Sequence, residues 1–93
     1  MAQRFKALAE EKRLRLLDRL GGDECCVCDL VDQLEQGQSL LSFHLKTLKE
    51  AGLVDAQRRG RWVFYCLREE ALTEAREFLE RLEKAARRRS PCC

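Results

Sequence analysis

The sequence predicts a single, mainly α-helical domain that carries one β-hairpin. Three observations carry that prediction. One proline and five glycines interrupt the 93 residues, so long helices are the default expectation. Charged residues make up 37% and the hydrophobic class 45%, the composition of a folded and strongly amphipathic chain. Apolar residues recur at helical spacing except in RWVFYCL (61–67), a run rich in the strand formers Trp, Val, Phe and Tyr. A chain of this length buries only about two thirds of the surface it exposes when unfolded, so help from a partner subunit or a bound ion is expected.

Residues 2–20 read as helix, with Phe5, Leu8, Leu14, Leu16, Leu17 and Leu20 as the apolar set and a possible break near Ala9 to Glu11. Gly21-Gly22 ends it. Val27, Leu30, Val31 and Leu34 then fall at i, i+3, i+4 and i+7, which predicts a short helix over about residues 27–35. Gln36-Gly37-Gln38 is a tight turn, and Leu41, Leu45 and Leu48 begin a third helix that Ala51-Gly52 closes. Two short helices joined by a glycine-containing turn match the helix-turn-helix motif, although any helical hairpin gives that pattern. Leu53–Gln57 and Arg61–Leu67 flank Arg58-Arg59-Gly60 and predict a hairpin with a basic tip. A helix-turn-helix followed at once by such a hairpin is a winged helix. Residues 69–89 form a long terminal helix whose stripe of Leu72, Ala75, Phe78, Leu79, Leu82 and Ala86 is too long for so small a domain to cover. That stripe predicts a homodimer through the terminal helices. The domain therefore spans 1–89, and 90–93 is a mobile Cys-containing tail.

Charge is unevenly spread. Residues 18–35 carry six acids and one base, whereas residues 36–68 carry six bases and two acids. The basic half is a candidate face for a polyanion and the acidic half attracts cations. The N-terminus lacks the apolar core of a secretory signal, and no run of about 18 apolar residues occurs. The expectation is a cytoplasmic protein without membrane contact, where disulfides rarely persist. Six cysteines then point to metal, metalloid or redox chemistry. An enzyme finds little support: there is no glycine-rich phosphate loop, no His near a Cys in sequence and no evident acid pair.

The order of elements, together with ECCVCDL (24–30), resembles the ArsR/SmtB family of bacterial metal-responsive repressors, and within it the arsenical-resistance repressors. The likeness runs from FKALAEEKRLRLL through QSLLSFHLKTLKEAGLV to RRGRWVFYCL. It implies a dimer that sits on double-stranded operator DNA and releases it when an ion binds, with As(III) as effector, Sb(III) as an alternative one, and no organic cofactor. The best-known arsenical repressors have a further cysteine three residues after the second one of CVC; here that position is Val31, and Cys25 is an additional thiol just ahead of the motif. The resemblance thus implies Cys25, Cys26 and Cys28 as the metalloid ligands. Related cadmium/lead sensors add thiols from an N-terminal arm, and zinc sensors use His on the last helix; neither feature is present, which favours arsenic.

The chemistry of the residues agrees. Thiolates are the soft side chains that thiophilic ions select. Cys26 stands where a helix N-cap would, and Asp29 takes the place of the capping-box acid. The positive helix N-terminus lowers a thiol pKa there, while Asp23, Glu24 and Asp29 oppose the shift. Structural packing, a redox switch paired with Cys66 or the tail, and a zinc module remain alternatives for these thiols. Cys66 reads as a core residue, and Cys92 and Cys93 as a possible secondary metalloid site. On the DNA side, Gln38, Ser39, Ser42 and His44 are polar groups at the reading end of the third helix, with Lys46 as a phosphate contact; helix packing and metal ligation are the alternatives for His44, which has no second His to pair with. Phe43 is placed either to pack or to touch a thymine methyl. Arg58, Arg59 and Arg61 at the wing are candidates for minor-groove or phosphate contacts.

Overall fold

A computed structural model describes residues 1–21, 25–26 and 38–89. The first predicted helix is two: α1 (Ala2–Leu8) and α2 (Glu11–Leu20). The break falls within the anticipated stretch. Glu10 is extended (φ −149°, ψ 125°) and its carboxylate accepts a hydrogen bond from the Lys12 amide at 2.9 Å, capping α2. That bond holds the Glu10 carboxyl below its ordinary pKa.

A two-residue strand, β1 (Cys25–Cys26), follows. The sequence places these residues ahead of a helix but gives no sign of a strand, since two residues carry no readable alternation. The predicted helix over 27–35, its turn, and the tail 90–93 lie outside the described residues. Helix α3 (Gln38–Glu50) buries Leu41, His44, Leu45 and Leu48. It ends in a Schellman closure, in which the Gly52 amide donates to the Lys49 carbonyl (2.9 Å) and the Leu53 amide to that of Leu48 (3.0 Å). Gly52 takes φ 78°, a left-handed conformation that an L side chain resists.

Strands β2 (Val54–Arg59) and β3 (Trp62–Leu67) form the hairpin. Arg59 pairs with Trp62, so the turn is Gly60-Arg61, with Gly60 at φ 64°. Arg58 and Arg59 therefore sit in the strand rather than at the tip, a shift of the expected boundary. The sheet order is β1-β3-β2, all antiparallel, with Cys25 opposite Tyr65 and Cys26 opposite Phe64. Helix α4 (Glu69–Arg88) completes the fold, with Glu69 and Glu70 in its first turn and Arg87 and Arg88 in its last, each sign favourable to the helix dipole.

One core joins these elements: Ala7, Leu16, Leu20, Leu41, Leu45, Leu48, Ala51, Leu53, Val54 and Ala71. Leu14, expected inside, is instead half-exposed. Arg4 adds a polar tie, reaching the Ala51 carbonyl (3.3 Å) and the Glu74 carboxylate, which links α1 to the end of α3 and to α4. The far part of α4 leaves this core; Leu79 and Leu82 are exposed, and the described chain measures 55 Å along its longest axis. No described helix is long and apolar enough to cross a membrane.

Candidate nucleic-acid interface and thiol segment

The burial of α3 divides it into two faces. Leu41, His44, Leu45 and Leu48 point into the core, while Ser39, Ser42, Phe43 and Lys46 are exposed. The exposed set falls at i, i+3, i+4 and i+7, a continuous stripe on one side of the helix. Gln38 is the first residue of the helix. Four of the predicted DNA-side residues are thus at this end of α3 on its open side or at its start. His44 is not: it is 4% exposed, which corrects its DNA-side placement in favour of the helix-packing alternative.

The reason lies in Arg13. Its guanidinium donates through Nε to the Ala7 carbonyl (2.7 Å) and through Nη2 to that of Lys6 (3.4 Å), satisfying carbonyls at the end of α1. Its Nη1 lies 3.3 Å from His44 Nδ1. A guanidinium can only donate, so Nδ1 is the acceptor and the imidazole is neutral, with its proton on Nε2. Burial, reinforced by the Arg13 charge, pushes the His44 pKa below its ordinary value. His44 is a structural joint between α2 and α3. The sequence held the signal: with Leu41, Leu45 and Leu48, His44 fills the i+3 slot of a complete helical template.

The wing follows α3 in the chain, and its strand β2 packs against that helix. Arg58, Arg59 and Arg61 are all exposed. Arg58 Nε donates to the Gly60 carbonyl at 3.3 Å. The Arg59 guanidinium lies over the Phe64 ring at 4.9 Å and donates to Gln57 Oε1 at 3.1 Å, and that of Arg61 lies over Trp62 at 5.4 Å. Aromatic faces thus restrain two of the three guanidinium groups.

The thiol segment touches the same sheet. Through its backbone, β1 brings Cys25 and Cys26 alongside β3, the strand that carries half of the wing. Cys66, expected in the core, lies on β3 and is half-buried with a free thiol. Cys28, Cys92 and Cys93 lie outside the described residues. Among the described residues no cluster of three or more His, Cys, Asp or Glu is positioned to hold a metal ion.

A helix with an open, mostly polar face, followed by a basic hairpin on one small core, is the architecture of a winged-helix DNA-binding regulator. The sequence model of the bacterial regulatory proteins of the arsR family matches residues 10–56, and the chain belongs to that family. It is 45% identical over 69 residues to the arsenical resistance operon repressor of Bacillus subtilis, covering 73% of this chain and 66% of that protein. Against the cadmium resistance transcriptional regulatory protein CadC of Listeria innocua it is 37% identical over 65 residues, 69% of this chain and 55% of the relative. The chain thus spans less than two thirds of the length of either resistance regulator. The solved structure of HlyU from Vibrio cholerae superposes with a TM-score of 0.73 at 38% identity, covering 87% of this chain and 88% of that one. These matches establish the winged helix-turn-helix architecture.

Proposed function

We propose that the protein is an arsenite-responsive transcriptional repressor, with antimonite as a second effector. It binds operator DNA as a homodimer and lets go when the metalloid is taken up by Cys25, Cys26 and Cys28. The DNA half of this reading is supported by the open stripe Ser39, Ser42, Phe43 and Lys46 together with the exposed Arg58, Arg59 and Arg61. Dimerisation is supported by Leu79 and Leu82, about half exposed on α4. The sensing half is supported by the donor set, three thiols within four residues, which suits a soft, thiophilic ion.

The observation that carries the proposal is the pairing of β1 with β3. Positions 25 and 26 are engaged in the backbone ladder with β3, so an ion taken up by Cys25, Cys26 and Cys28 acts on the segment that pairs with the wing. Its uptake draws β1 away from its place beside β3. The wing then loses its inner neighbour, and the spacing between α3 and the wing relaxes. A coupling of about 1–3 kcal/mol per effector is the usual size of such linkage.

Titrating the protein–operator complex with arsenite, cadmium and hydrogen peroxide in parallel, while following DNA anisotropy and free thiols, tests the proposal. Arsenite is expected to release the DNA as the cluster thiols become unreactive, and Cys28→Ser to bind DNA normally yet ignore arsenite. Release by cadmium or peroxide alone would replace arsenic with the corresponding effector. Full arsenite-driven release of Cys28→Ser would sink the assigned site.

A further inference from the structure

We infer that Phe43 is a sequence-reading residue whose ring packs against the methyl group of a thymine in the major groove. The inference rests on the DNA-binding reading above and deepens it. Phe43 is 58% exposed, more than any other large apolar side chain among the described residues. Its placement is not a failure of the helix to turn it inward: the buried stripe of α3 is already filled by Leu41, His44, Leu45 and Leu48. The ring is held on the open side, its centroid 5.5 Å from that of His44 at a tilt of 60°. His44 is itself fixed by Arg13, so the aromatic group stands on a rigid support, and ordering it on binding costs little.

Its surroundings identify the partner. Ser39, Ser42 and Lys46, the neighbours of Phe43 on the exposed stripe, are polar or cationic. A protein–protein docking site would need a contiguous apolar patch, and Leu40 is the one other exposed large apolar residue of α3. The apolar surface of the terminal helix, by contrast, lies on Phe78, Leu79 and Leu82. A patch of only two apolar side chains, Leu40 and Phe43 at i and i+3, set among hydroxyls and an ammonium group suits a groove that is polar and anionic with isolated apolar points. The major groove has one such point, the thymine methyl group. Serine and glutamine alone read the hydrogen-bonding edges and leave that methyl unread; Phe43 supplies the missing contact.

The test removes the methyl and nothing else. The wild-type protein selects an operator from random duplexes, and each thymine of that operator is then replaced singly by uracil. One position in each half-site is expected to weaken wild-type binding about four-fold, the worth of one buried methyl group. Phe43→Ala is expected to bind the thymine operator more weakly and to be indifferent to uracil at that position, while Phe43→Leu retains the discrimination. Thermal melts of both variants confirm folding, which an exposed position does not threaten. Wild-type indifference to every uracil, or an unchanged penalty in Phe43→Ala, overturns the inference while leaving DNA binding intact. If the wild-type protein enriches no sequence at all, the DNA-binding reading and this inference fall together.

Discussion

Arg13 serves three elements with one side chain: it belongs to α2, closes the end of α1 and holds the ring of His44 on α3. That arrangement makes a pH prediction with a definite sign. His44 is the chain's single histidine, and its folded pKa is lowered from 6.5, by burial first and by Arg13 second. Above pH 6.5 both the folded and unfolded forms are neutral there, and the stability is complete. Below it the unfolded chain takes up a proton that the native site resists, so stability falls as pH descends and levels off beneath the folded pKa. Denaturation midpoints measured between pH 8 and 5 should therefore be flat and then decline. His44→Gln should flatten the decline in the window just below pH 6.5, where ordinary carboxylates do not yet titrate.

Helices and strands differ in how far the sequence reveals them. Helix α4 is legible almost to its ends because twenty residues of regular spacing repeat one message. The division of α1 from α2 is legible only as a possibility, since Glu10 is an unusual cap and its acceptor role depends on a rotamer. The hairpin boundary slips by two residues because pairing with β3 draws Arg58 and Arg59 into the ladder, against their weak strand preference. Strand β1 exists only through its partner. At the site, the open face of α3 and the burial of His44 follow from helical spacing, while the stacking of Arg59 and Arg61 on aromatic rings depends on the register of the hairpin and on side-chain rotamers. Gly52 is a local requirement that can be tested directly. A Cβ there would meet nothing closer than Arg4 Nη2 at 3.8 Å, so the penalty for Gly52→Ala is conformational, from φ +78°. Urea unfolding should show a loss of about 1–2 kcal/mol, without a change in the slope that reports buried surface.

At the scale of the molecule, the described chain is a compact head with a projecting α4. Phe5 and Phe78 pack at 5.8 Å where the two meet, and beyond that point Leu79 and Leu82 face outward. The double variant Leu79→Glu/Leu82→Glu should keep the helical signal of the protomer, because neither side chain enters the core. If the chain dimerises through α4 as proposed, sedimentation should show the variant as a monomer at concentrations where the wild-type chain sediments as a dimer, and operator affinity should fall by orders of magnitude as the two-site contact is lost. The pairing of β1 with β3 has a converse. Under the proposed function, whatever the thiol segment does to the DNA complex, the DNA must do to the thiol segment by an equal factor. Operator DNA, by favouring the arrangement in which β1 stays in its ladder, should weaken arsenite binding as much as arsenite weakens the operator complex. A promoter-bound molecule is then a less sensitive detector than a free one, and the free pool sets the threshold at which the response begins.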